Sequence, residues 1–186
     1  MKRKLEVYPR VDGRLLDGYR RLSDVLGLMA FYPVLAVVAV GIGDPFFYMV
    51  AETYILVIGA ALAYRIYRLE AGRGRVAAVI MAVSLLLIIS PYLGPITGLS
   101  VSPFIGAAGK VILLSTAGLH IHSIAKSLGR WEKLDKYGGL IVLGSLVVIV
   151  REPLVVALGL LLAALGFGGA STEIRKLYYA NLRVRS

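Results

Sequence analysis

Two charged side chains stand where charge is costly. Glu52 and Lys110 lie six and seven residues into separate apolar stretches, both read as entering the membrane from the same side. At 1.5 Å per helical residue, both sit roughly 9–11 Å below that boundary. Opposite charges at matching depth predict an ion pair, or a shared hydrogen-bonded site, facing the interior of a helix bundle. Such a pair can be interhelical glue, worth about 1–2 kcal/mol, or an ion or proton site on a transport path. A third alternative leaves Lys110 snorkelling outward without a partner.

The two histidines, His120 and His122, form an HIH motif in the same stretch as Lys110. At i, i+2 on a helix they point about 200° apart and cannot easily chelate one metal. No cysteine exists in the chain, and no nearby carboxylate in the sequence completes a ligand set. Both histidines are placed near the cytoplasmic end of their span, at the interface. His120 with Ser115 and Thr116 makes a minor polar candidate site. Ser115 and His120 are i, i+5 on one helix, the wrong geometry for a nucleophile and its base. A relay from Lys110 to His120 would have to bridge ten residues, about 15 Å. HExxH, GxSxG and paired intramembrane aspartates are all missing from the sequence. Thr53, Ser84, Ser90 and Ser145 are expected to bond their own helix carbonyls. No catalytic residue, metal or cofactor is predicted.

The elements that must position these residues follow from composition. The chain has 186 residues, 58% of them hydrophobic, with a mean hydropathy of +0.78. Soluble domains run at about 45–50% apolar. Apolar runs near 20 residues long are enough to cross about 30 Å of hydrocarbon. Six spans are expected: Val25–Gly43, Phe46–Leu69, Val76–Leu93, Pro103–Lys126, Leu134–Val150 and Pro153–Ala170. Asp44-Pro45 makes the first tight turn, and Pro91 and Pro95 end the third span. Arg151-Glu152-Pro153 divides the last apolar region into two spans, with a kinked or re-entrant element as the alternative. The fold class is therefore all-α: a polytopic bundle of three hairpins spanning residues 25–170.

Charge placement orients this bundle. Of 21 Lys and Arg residues, 19 fall in the N-terminal segment, alternate loops and the C-terminal tail. The positive-inside rule puts those regions, and both termini, in the cytoplasm. The net charge of +10 thus marks orientation and contact with anionic lipid headgroups, with no need for nucleic acid. Expected headgroup contacts are Arg14, Arg20, Arg21, Arg65, Arg68, Arg130, Lys133, Arg175 and Lys176. Trp131 suits the same headgroup region.

Residues 1–24 are basic and polar, and no cleavable signal peptide is predicted. Within them Leu15, Leu16, Tyr19 and Leu22 share a helical face. That face suits either a helix on the membrane surface or an extension of the first span. The basic tail, 171–186, is expected to form a surface helix with Ile174, Leu177 and Tyr178 toward the membrane. The glycine patches GAAG (106–109) and GFGGA (166–170) precede no phosphate-binding Lys-Ser pair, so they indicate close packing. Gly59/Ala63 and Gly159/Ala163 are small-xxx-small pairs of the same kind. The absence of Cys and Gln, with Asn181 the sole asparagine, matches a thermophile composition.

WEKLDKYGGLIVLGSLVVIV (131–150), followed by LLLAALGFGGASTEI (160–174), resembles small archaeal multi-pass membrane proteins of uncharacterised function. That resemblance implies a cell-membrane location and no particular activity. Tiny loops, one intramembrane charge pair and no reactive constellation favour a non-enzymatic structural or accessory membrane component. Its partners would be lipid and either other membrane subunits or itself. The alternative is a small transporter or channel using Glu52 and Lys110, with a membrane enzyme third.

Overall fold

The computed structural model describes residues 9, 11–70, 72–98, 102–129, 131–148 and 152–183, with backbone alone for Arg14 and 94–97. Among the described residues there are seven helices and no strand. They are α1 (Gly13–Met29), α2 (Phe31–Ile42), α3 (Pro45–Leu69), α4 (Arg73–Thr97), α5 (Pro103–Ser127), α6 (Glu132–Val147) and α7 (Pro153–Arg183).

Local chemistry sets the helix ends. Gly43 adopts the left-handed conformation that ends α2 (φ 72°). Asp44 then accepts the Phe46 N–H at 2.7 Å, and Pro45 fills the first helical position, where no N–H is needed. Ser102 and Pro103 repeat this arrangement at α5. The interruption between α1 and α2 at Ala30 also has a cause in the chain. Pro33 lacks the N–H that the Met29 carbonyl would accept. Beside that break, the Tyr54 hydroxyl on α3 donates to the Leu28 carbonyl at 2.7 Å.

Five stretches are long and apolar enough to cross a membrane: Leu15–Ile42, Pro45–Leu69, Arg73–Leu93, Pro103–Ser127 and Pro153–Arg183. The helix at the expected fifth span, α6, has 16 residues. It is about 24 Å long, short of the hydrocarbon thickness. Its first turns carry Glu132, Lys133, Asp135 and Lys136. The outer surface of the bundle is apolar, with Phe46, Val57, Leu86, Phe104, Leu154 and Leu165 all well exposed. Lipid is the solvent such a surface fits.

The helices form a ring in chain order. Neighbours pack α3 on α4, α4 on α5, α5 on α6 and α6 on α7, and α1 with α2 closes the circuit against both α7 and α3. The core holds Met29, Ile55, Leu62, Met81, Leu113 and Phe167. Glycines allow the tightest approaches. A Cβ on Gly118 would fall 2.8 Å from the Gly138 carbonyl, and one on Gly159 2.7 Å from the Gly144 carbonyl. Backbone therefore meets backbone along both faces of α6.

Three sequence expectations are corrected here. Pro91 and Pro95 do not stop the helix: α4 runs through both to Thr97, although its membrane-crossing stretch ends at Leu93 as expected. Ile174, Leu177 and Tyr178 do not face lipid. They are buried because α7 continues unbroken and packs on α1. The apolar face of α1 is not laid on a membrane surface either. Leu16, Tyr19 and Leu22 are buried within the protein, which matches the extension alternative, while Leu15 stays exposed. The predicted contact Arg130 and the interrupting Arg151 lie outside the described residues, as does the Arg14 side chain.

Candidate functional site

The α1–α7 seam shows how the ring is closed. Asn181 is buried; its Oδ1 accepts the Val11 N–H at 3.0 Å and its Nδ2 donates to the Pro9 and Leu177 carbonyls, each at 3.0 Å. Ser171 donates to the Ser23 carbonyl at 2.7 Å, and Arg175 reaches Asp24 at 2.8 Å. The Arg20 guanidinium lies 5.5 Å from the Tyr178 ring centre. Lys176 binds the buried Glu173 at 2.7 Å. Arg20, Arg175 and Lys176, expected at lipid headgroups, thus also make contacts within the protein. The chain's single Asn gave no signal by itself, because its role depends on two segments 170 residues apart.

Toward the opposite end of the bundle, the structure brings Glu52 on α3 and Lys110 on α5 into a salt bridge through Glu52 Oε1. Both side chains are largely shielded, at 14% and 25% exposure. Glu52 Oε2 is buried with no hydrogen-bond partner among the described residues. Tyr32 on α2 and Tyr92 on α4 lie within electrostatic reach of the same carboxylate.

A second polar cluster was not predicted. His120 is buried, with Nε2 at 3.7 Å from Glu70 Oε1. That distance is too long for a hydrogen bond, and His120 Nε2 has no other partner among the described residues. Burial raises the Glu70 carboxyl above its ordinary pKa. Tyr19 on α1 lies close enough to feel its charge. His120 is thus buried inside the protein, beside a residue just past the end of α3 and near the end of the span where the sequence placed it. Helix depth did not reveal this pair. From the Glu52–Lys110 contact to the Glu70–His120 contact the chain advances 18 residues through α3 and only ten through α5. Glu70 also lies past the end of α3 in extended backbone, where helical spacing no longer applies. His122 pairs with Asp135 of α6, on the other side of α5, and both side chains are partly exposed.

The minor site of His120, Ser115 and Thr116 does not assemble. Ser115 instead bonds Ser145 of α6 at 2.6 Å. Ser145 donates its only proton to the Val142 carbonyl at 2.7 Å, so Ser115 is the donor between them. Ser84 and Ser90 bond the carbonyls of Met81 and Leu87. Among the described residues, no group of three His, Asp or Glu side chains could hold a metal.

A basic cleft of about 320 Å³ lies between α1 and α3, lined by Asp17, Arg21, Tyr64, Arg65 and Arg68 among others. The Arg65 guanidinium sits 5.9 Å from the Tyr64 ring centre. Arg21 and Arg68 are exposed.

No protein-family model, curated protein or solved structure matches this chain.

Proposed function

We propose that this protein is a non-enzymatic integral component of the cell membrane, acting as a structural or accessory part of a membrane assembly. The observation that carries the reading is the Glu52–Lys110 salt bridge linking α3 to α5. Membrane-buried charge used this way locks helix register and leaves little free for chemistry. Ser84, Ser90, Ser115 and Ser145 support the same view, because each is bonded to a backbone carbonyl or to another serine.

The finer topology belongs to this proposal. α6 belongs to a sixth crossing, and both termini lie in the cytoplasm with most of the Lys and Arg. The partners are anionic lipid and either other membrane subunits or a second copy.

One observation favours a second reading, a small transporter or channel for protons, ions or a small solute. Glu52 Oε2 is buried with no hydrogen-bond partner among the described residues beside the α3–α5 salt bridge, and the Glu70–His120 cluster lies ten residues further along α5. Reconstitution separates the two readings. Purified protein in liposomes should give no proton or ion flux above empty vesicles, and mild-detergent extraction should recover a defined complex or homo-oligomer. Flux that Glu52→Gln abolishes would overturn the accessory reading in favour of transport.

A further inference from the structure

The basic cleft has an apolar neighbour. Between α3 and α4 lies a second cavity of about 280 Å³, lined by Ala60, Ala63, Tyr64, Tyr67, Ala78 and Ala82 among others. Tyr64 is a wall of both cavities. On one side of it stand three guanidiniums, Arg21, Arg65 and Arg68, against one carboxylate, Asp17. Among the described residues, none of these four makes a salt bridge. On the other side, small alanine side chains leave a trough. Ala60 to Tyr67 spans seven residues of α3, a length of about 10 Å.

We infer that these two cavities form one site for an anionic glycerophospholipid. Its phosphate would sit among Arg21, Arg65 and Arg68, and one acyl chain would lie in the alanine trough beyond Tyr64. Guanidinium forks match phosphate oxygens in shape and charge. Three of them beside one carboxylate leave an excess of positive charge for the phosphate to neutralise. Asp17 adds an acceptor, which suits a headgroup bearing hydroxyls. A trimethylammonium headgroup has no proton to donate to it. The trough runs from the arginine end of α3 toward the middle of that helix, the direction an acyl chain takes from a headgroup. A free phosphate ester would use the cleft and leave the trough unexplained. The inference rests on the membrane placement and anionic-lipid contact proposed above, names the site of that contact, and holds for an accessory protein or a transporter alike.

Binding to the full chain in detergent tests it without any membrane surface potential. The probes are short-chain phosphatidylglycerol, short-chain phosphatidylcholine and glycerol 3-phosphate, read by native mass spectrometry. Phosphatidylglycerol should bind at least about tenfold tighter than phosphatidylcholine, and Arg21→Gln with Arg68→Gln should erase that preference, since hydrogen bonds to charged groups dominate it. Ala82→Phe fills the trough at an exposed position. It should weaken phosphatidylglycerol binding and leave any glycerol 3-phosphate binding unchanged. Lys126→Gln with Lys136→Gln removes two exposed cations outside the cleft and should have little effect. Equal losses from the two double variants would reduce the effect to general charge and sink the inference. Glycerol 3-phosphate binding as tightly as the lipid, with Ala82→Phe silent, would overturn it in favour of a soluble phosphate ester. If the arginine double variant does not fold, Arg68→Gln alone and Ala82→Phe decide the matter.

Discussion

Glu52 on α3 and Lys110 on α5 meet in a salt bridge although 58 residues separate them. Each single neutralisation strands the other charge in a shielded setting. Glu52→Gln and Lys110→Met are each expected to lower stability by about 2 kcal/mol. The double variant should recover most of that loss, because no uncompensated charge remains. Thermal unfolding in detergent measures the cycle. Additive losses would show that the two residues act separately.

Much of the frame was legible in the sequence because lipid forces a simple rule on it. Backbone polar groups must be satisfied within each span, so apolar run length marks a crossing helix directly. Asp44-Pro45 and Ser102-Pro103 mark helix starts by the same local chemistry seen in the structure. What escaped was tertiary. Ile174 and Leu177 read as lipid-facing because apolarity does not tell lipid from protein, and only the packing of α1 on α7 decides it. Pro91 looked terminal, yet α4 continues past it. Glu70 and His120 stayed hidden because unequal lengths of α3 and α5 separate their contact from that of Glu52 and Lys110.

Asn181 offers a sharper test of ring closure. It supplies an acceptor to Val11 and a donor shared between Pro9 and Leu177. Asn181→Ala removes the side-chain partner of these backbone groups and should cost about 2–3 kcal/mol. The effect should be local first. Hydrogen exchange at the Val11 amide should accelerate well before the amides of α4 and α5 change. Unaltered protection at Val11 would mean that other contacts hold the N-terminal segment.

The α5–α6 contact predicts opposite outcomes for two glycines. Gly118→Ala sets a methyl 2.8 Å from the Gly138 carbonyl, a backbone atom that cannot swing aside. Separating the helices should cost about 1–3 kcal/mol. Gly139 has nothing within 4 Å of its virtual Cβ. Gly139→Ala should be neutral, or stabilising by up to about 1 kcal/mol through helix propensity. Paired unfolding measurements on the two variants check the geometry of this contact, and a reversed order would contradict it.

Glu70 carries a pH signature whose sign is set by its burial. Its carboxyl is held above the ordinary value of 4.5 by desolvation. Between 4.5 and that raised value, the folded protein keeps a proton that the unfolded chain has released. Stability from this group is therefore fully present below 4.5 and is lost as pH rises through the folded pKa. His120 is the imidazole facing Glu70, and the Tyr19 phenol lies within reach of its charge. Other carboxylates add slopes of their own, so the informative quantity is the difference between the parent protein and Glu70→Gln. The glutamine keeps the shape and cannot ionise. Relative to it, the parent should lose stability as pH rises from 4.5 through the raised folded pKa. Unfolding midpoints taken across that range give the slope directly. A flat difference would show that burial leaves the titration of Glu70 unchanged, and one that grows with pH would show that the fold favours its ionised form.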